Sequence, residues 1–138
     1  MHRRGRWLVA ALLAAVLAAC STPPPVEIPA ADADPVEVVQ AYVAAINAED
    51  RTALAVLSGD GVVPEVWLGT EIELVEIGEP YADEGSYYDR DGEKVVGVPV
   101  TAVFRHTDGS LPEGEEAPWG YLLVEQDGRW VVFNQGLG

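Results

Sequence analysis

Residues 34–57 read DPVEVVQAYVAAINAEDRTALAVL, and the spacing of the apolar residues in this stretch decides the class of domain. Asp34-Pro35-Val36-Glu37 places an N-cap, a proline at the first helical position and a glutamate at the third, an aspartate form of the capping box. Val36, Val39, Val43 and Ile46 then recur at helical spacing, with Tyr42 on the edge of the stripe. Asn47-Ala48-Glu49 breaks the helix. Asp50 supplies a fresh cap for a second one, in which Leu54 and Leu57 face inward beside Ala53 and Val56. Gly59 and Gly61 end it, and a short turn is expected around Pro64, leaving Trp67 to pack.

After Gly69 the period changes to two. Glu71–Ile77 reads as a strand whose alternation slips at Leu74-Val75, the mark of a bulge. Tyr81–Asp89 fits either a short strand or a loop. In Val95–His106 the residues Val96, Val98, Val100, Ala102 and Phe104 share one face. Pro99 has no amide proton and predicts an edge or a bulge there. Residues 113–118 are expected to form a loop. Trp119–Gln126 and Arg129–Gln135 are two strands joined by Asp127-Gly128, a type I′ hairpin signal. An unbroken hairpin sets Val124 opposite Val131, Leu122 opposite Phe133, Leu123 opposite Val132, Tyr121 opposite Asn134 and Trp130 opposite Glu125.

Helices first and a meander of antiparallel strands afterwards is an α+β order. The opening DPVEVVQAYVAAINAEDRTALAVL and the closing WGYLLVEQDGRWVVFNQGLG resemble the first helices and last hairpin of the nuclear-transport-factor-2-like (SnoaL-like, cystatin-like) superfamily. That resemblance implies a curved sheet wrapped round the first helix as a cone with a mouth at one end. Its pocket would be lined by residues such as Tyr42, Trp67, Val100, Phe104 and Tyr121. Another helix-on-sheet sandwich would suit the same order of elements.

Catalytic members of the superfamily carry a carboxylate or histidine base opposite tyrosine or acid donors, which general acid–base chemistry needs. In this chain the face from Val96 to Phe104 is wholly apolar, and Glu71, Glu73 and Glu76 lie on a strand of uncertain register. His106, followed by Thr107-Asp108-Gly109, reads as the start of an exposed turn. The expectation is therefore a non-catalytic domain that binds a small apolar ligand or an envelope protein. An isomerase- or dehydratase-type pocket enzyme is the alternative.

The N-terminal segment speaks of location. Arg3, Arg4 and Arg6 precede Trp7–Ala19, an all-apolar run that as a helix reaches only about 20 Å, short of the roughly 30 Å of a hydrocarbon core. A basic start, a short greasy middle and small residues before a cut make a secretory signal. Leu17-Ala18-Ala19-Cys20 resembles the lipobox of bacterial lipoproteins. That resemblance implies acylation of the Cys20 thiol, cleavage between Ala19 and Cys20, and anchoring on the extracytoplasmic face of the cell membrane. Cys20 is the single cysteine, so no intrachain disulfide can form. Residues 1–19 are then the leader, 20–33 a Pro-rich extended tether and 34–138 one α+β domain.

Charge and ligand chemistry narrow the partners. The formal net charge is −15, every acid lies after Cys20, and the leader takes three arginines with it. So acidic a chain repels phosphates, which argues against nucleic acid. Asp89-Arg90-Asp91-Gly92-Glu93 lacks the glutamate that completes a calcium loop. With His2 in the leader, His106 has no companion for a zinc site. No metal or cofactor is expected. The expected partners are the membrane, through lipid on Cys20, and the small ligand or envelope protein.

Overall fold

The structure, a computed structural model, describes residues 22–83 and 92–137. The lipobox with Ala19 and Cys20, the tyrosines 87 and 88 and residues 89–91 of the acidic turn lie outside the described residues. Two helices are followed by an open antiparallel sheet, an α+β arrangement. Helix α1 spans Pro35–Asn47 and α2 spans Arg51–Leu57, and a 3₁₀ turn occupies Pro64–Trp67. The strands are β1 (Glu71–Ile77), β2 (Tyr81–Ala82), β3 (Val95–Arg105), β4 (Glu116–Gln126) and β5 (Arg129–Gly136). They pair in the order β1-β3-β4-β5, with β2 also on β3.

Both helix starts are built by the expected caps. The Asp34 carboxylate accepts from the Glu37 amide at 3.0 Å, and that of Asp50 accepts from the Ala53 amide at 3.0 Å. Helix α1 buries Val38, Val39, Ala41, Tyr42, Val43, Ala45 and Ile46. That face is wider than the predicted stripe because α2 packs on α1 beside the sheet. At its last residue, Asn47 donates from Nδ2 to the Ile72 carbonyl and accepts the Ile72 amide on Oδ1, both at 2.8 Å. This side chain thus pairs with the outer edge of β1 as a neighbouring strand would.

The sheet turns one face to the helices. Ile72, Val98, Val100, Ala102, Phe104, Trp119, Tyr121, Leu123 and Val132 join the helical residues in one core, where full burial of a side chain of this size contributes about 1.5–3 kcal/mol. The opposite face holds a smaller cluster of Val95, Val124, Val131 and Phe133, with Leu122 against it. Both faces of the terminal hairpin are therefore apolar, as its sequence predicts.

Register departs from expectation at one point. Val124 faces Val131, Leu123 faces Val132 and Glu125 faces Trp130, but Leu122 faces Asn134 and Tyr121 faces Gln135. A bulge beside Leu122/Leu123 leaves Phe133 as an extra residue on β5, so the next pairs shift by one and Gln135 takes the place expected for Asn134. On β1 the ladder skips Val75 between Leu74 and Glu76, where the alternation predicts a bulge. Asp127 and Gly128 both have positive φ (52° and 76°), as a type I′ turn requires.

Two prolines lie further inside the sheet than the sequence suggests. β3 is an interior strand, so Pro99 marks neither an edge strand nor a bulge of its own. Its carbonyl accepts from the Gly78 amide at 2.8 Å, and its nitrogen faces the same side. There the neighbouring edge is interrupted between Ile77 of β1 and Tyr81 of β2. β4 begins at Glu116, within the expected loop, and Pro118 pairs with Thr101. The nitrogen of Pro118 points away from β3, past the end of β5 at Gly136. In each case the missing donor meets no strand.

The segment ahead of α1 also differs from an extended tether. The Val26 amide donates to Asp50 Oδ2 at 2.9 Å, and the Arg129 guanidinium donates to the Pro29 carbonyl at 2.6 Å. Val26 and Ile28 pack on the core and Ala33 is 7% exposed. Residues 26–33 form a strap on the domain, held by apolar side chains among the prolines.

Candidate functional site

Of the five residues predicted to line a pocket, four are core. Tyr42, Phe104 and Tyr121 are fully buried and Val100 nearly so. Trp67, half-buried at the end of the 3₁₀ turn, lines a cleft. Five of the described aromatic rings fall into two groups. Tyr42 and Tyr121 meet edge to face with centroids 5.9 Å apart. Trp67, Phe104 and Trp119 make a second cluster with centroids 5.2–6.2 Å apart, at separations where edge-to-face rings attract.

The cleft has a volume of about 290 Å³ and opens where β1 starts and β3 ends. Val66, Trp67, Leu68 and Leu111 supply its apolar wall, and Thr70, His106, Thr107, Asp108 and Ser110 its polar side. The loop after β3 is shaped by one carboxylate. Glu113 accepts from the His106 amide at 2.7 Å, the Thr107 amide at 3.1 Å and the Thr107 hydroxyl at 2.8 Å. The Gly114 amide closes the loop on the Phe104 carbonyl at 2.8 Å, and Asp108 Oδ1 accepts from the Ser110 amide at 2.9 Å. Hydrogen bonds from Thr107 and His106 hold the Glu113 carboxyl below the usual carboxylate range. His106, with φ of 60°, begins the exposed turn the sequence predicts, and it also stands on the cleft rim. The signal for that second role is the distant pairing with Glu113, which local reading of HTDG does not reveal.

A second polar group lies under the sheet. Gln135 donates from Nε2 to the Tyr42 hydroxyl at 3.4 Å, while Tyr121 Oη, Gln135 Oε1 and Trp119 Nε1 have no hydrogen-bond partner among the described residues. Burial pushes both tyrosine hydroxyls well above their ordinary pKa, with nearby Glu65 adding to the effect on Tyr42. Both hydroxyls therefore stay protonated near neutral pH. The glutamates of β1 point elsewhere: Arg105 bridges Glu71 at 3.1 Å and Glu73 at 2.9 Å on the exposed side.

Among the described residues no three His, Cys, Asp or Glu side chains cluster as metal ligands, and no helix is long and apolar enough to cross a membrane. The chain matches no protein-family model, no curated protein and no solved structure.

Proposed function

We propose that this chain is a bacterial lipoprotein, anchored through Cys20 on the extracytoplasmic face of the cell membrane, whose domain binds a small ligand with an apolar body. The cleft between the 3₁₀ turn and the β3–β4 loop carries this reading. Its Trp67–Leu111 wall suits an apolar group, and the hydroxyls of Thr70, Thr107 and Ser110 with His106 and Asp108 suit one polar end. About 290 Å³ lies at the small end of the range for ligand pockets, which suits a molecule of one or two rings.

The nuclear-transport-factor-2-like reading belongs with this proposal. It is supported by the order of elements, by α1 across the inner face and by bulges on β1 and β5, since bulges bend a sheet. In that reading the cleft is the mouth of a cone closed at its base by the Tyr42–Tyr121 pair. A binding role is favoured over isomerase or dehydratase chemistry because the polar groups of the inner face are tyrosines, an indole and an amide. The reading is tested with the neutral fluorophore N-phenyl-1-naphthylamine. Saturable one-to-one binding, weakened at least tenfold by Leu111→Asp or Val66→Asp, is the expected result. Binding that neither substitution weakens would remove the cleft from the account.

A further inference from the structure

On the inner face of the sheet, three side-chain groups keep hydrogen-bonding capacity that nothing among the described residues uses. They are the Trp119 indole N–H, the Tyr121 hydroxyl and Gln135 Oε1. Trp119 and Tyr121 stand two residues apart on β4 and so share a face, and Gln135 lies opposite Tyr121 on β5. Tyr121 is fully buried and Trp119 is 6% exposed. Tyr42 closes the group from α1, with its ring against Tyr121 and its hydroxyl accepting from Gln135 Nε2. A purely packed core needs no such atoms. Phenylalanine and leucine would fill similar space without the desolvation cost of an unpaired donor or acceptor.

Residues 62–68 cover this group. The Trp67 ring meets Trp119 and Phe104 with centroids 5.5 and 6.2 Å apart, and the Glu65 carboxylate lies close enough to Tyr42 to oppose ionisation of its hydroxyl. Glycines flank the segment, Gly61 with φ of 105° and Gly69 with φ of 91°, a backbone conformation that glycine adopts without strain. Between them the amides of Val66, Leu68 and Thr70 bond to the carbonyls of Val63, Glu65 and Trp67. These bonds are internal, so they survive when the segment moves as one body. Val63 and Val66 face solvent, 59% and 71% exposed, while Pro64, Trp67 and Leu68 supply the apolar contacts with the domain.

We propose that residues 62–68 form a lid hinged at Gly61 and Gly69, beneath which Trp119, Tyr121 and Gln135 bind a neutral cyclic amide. As the lid lifts, the ring of the ligand takes the place of the Trp67 ring beside Phe104 and Trp119, and its polar end reaches Tyr121 and Gln135. Two steps along β4 separate Trp119 from Tyr121 by about 7 Å, a span that a two-ring molecule covers. The Tyr121 hydroxyl and the Trp119 N–H donate to the ligand carbonyl, and Gln135 Oε1 accepts from the ligand N–H. Two donors turned on one group disfavour a cation, and the Glu65 carboxylate disfavours an anion. This inference rests on the proposed ligand-binding role of the domain, not on its anchor.

The test titrates the full chain with 2-quinolinone, a two-ring cyclic amide, and with its N-methyl derivative by isothermal calorimetry. One-to-one binding of 2-quinolinone, at least tenfold tighter than that of the N-methyl derivative, is expected. Tyr121→Phe should fold as the parent does, because the hydroxyl it removes has no partner among the described residues, yet bind 2-quinolinone at least fivefold more weakly. Trp67→Ala should bind it at least threefold more tightly, because the ring that competes for the site is gone. No binding of 2-quinolinone, equal affinity for the two probes, or an affinity that Tyr121→Phe leaves unchanged overturns the site. Unchanged or weaker binding by Trp67→Ala overturns the lid and makes Trp67 a fixed wall. When N-phenyl-1-naphthylamine binds the cleft and 2-quinolinone does not bind, this inference alone fails; when neither binds, the binding role fails with it.

Discussion

Replacing Asn47 by alanine removes a side chain that pairs with the edge of β1. Its amide makes two 2.8 Å hydrogen bonds with the Ile72 backbone, and each typically contributes about 0.5–1.5 kcal/mol net. Alanine is the better helix former by at most about 0.7 kcal/mol, which offsets part of the loss without reversing it. Asn47→Ala is therefore expected to cost roughly 1.3 kcal/mol. For a domain of roughly 110 residues, with about 2.1 cal/mol/K of unfolding entropy per residue, that lowers Tm by about 5–6 °C. Urea titration should show a lower midpoint at unchanged slope, and the Ile72 amide should exchange faster with solvent. Asn47→Asp separates hydrogen bonding from helix ending. Its carboxylate still accepts the Ile72 amide but sets a second oxygen against the Ile72 carbonyl, so the loss at neutral pH should at least equal that of alanine. A loss below about 0.5 kcal/mol for both variants, smaller than one net hydrogen bond, would refute the pairing.

Other consequences are checked as directly. Gly128→Ala should cost about 1 kcal/mol, because φ is 76° and no atom within 4 Å would obstruct a Cβ, leaving only the conformational penalty; thermal melts measure it. The Glu113 carboxyl has a lowered pKa in the folded state, so its contribution to the cleft loop is complete above its ordinary value near 4.5 and is lost as pH falls through the folded value. Amide exchange at His106 and Thr107 should rise on acidification, and Glu113→Gln should abolish that dependence. Asp50 behaves in the same sense, holding the α2 cap and the Val26 amide. Acidification through its lowered pKa should loosen the strap, as limited proteolysis between residues 22 and 33 would detect. Cys20→Ser should yield an unprocessed or soluble product, and a mutant still cleaved and membrane-bound would contradict the lipobox reading.

Much of the fold is legible because its signals are local. Asp34 and Asp50 announce both helices through one side chain and one amide each. The Leu74-Val75 slip announces the β1 bulge, and Asp127-Gly128 fixes the last turn. What escapes the sequence depends on partners far along the chain. Pro99 is tolerated in an interior strand because β1 ends and β2 begins beside it. Phe133 bulges at the end of an unbroken apolar run, Trp130 to Phe133, where alternation cannot mark the extra residue. The strap is hidden among prolines whose composition suggests an extended spacer, although Val26, Ile28 and Ala33 give it an apolar side. The cleft was legible only at Trp67. Its other wall exists because Glu113 reaches back to His106 and Thr107.

The proposed location is tested most directly by intact-mass and N-terminal peptide measurement on the membrane fraction of bacterial cells that produce the full chain. The account predicts a chain beginning at Cys20 with a diacylglyceryl group on its sulfur. A chain cut elsewhere, or one beginning at Cys20 with an unmodified thiol, would contradict it.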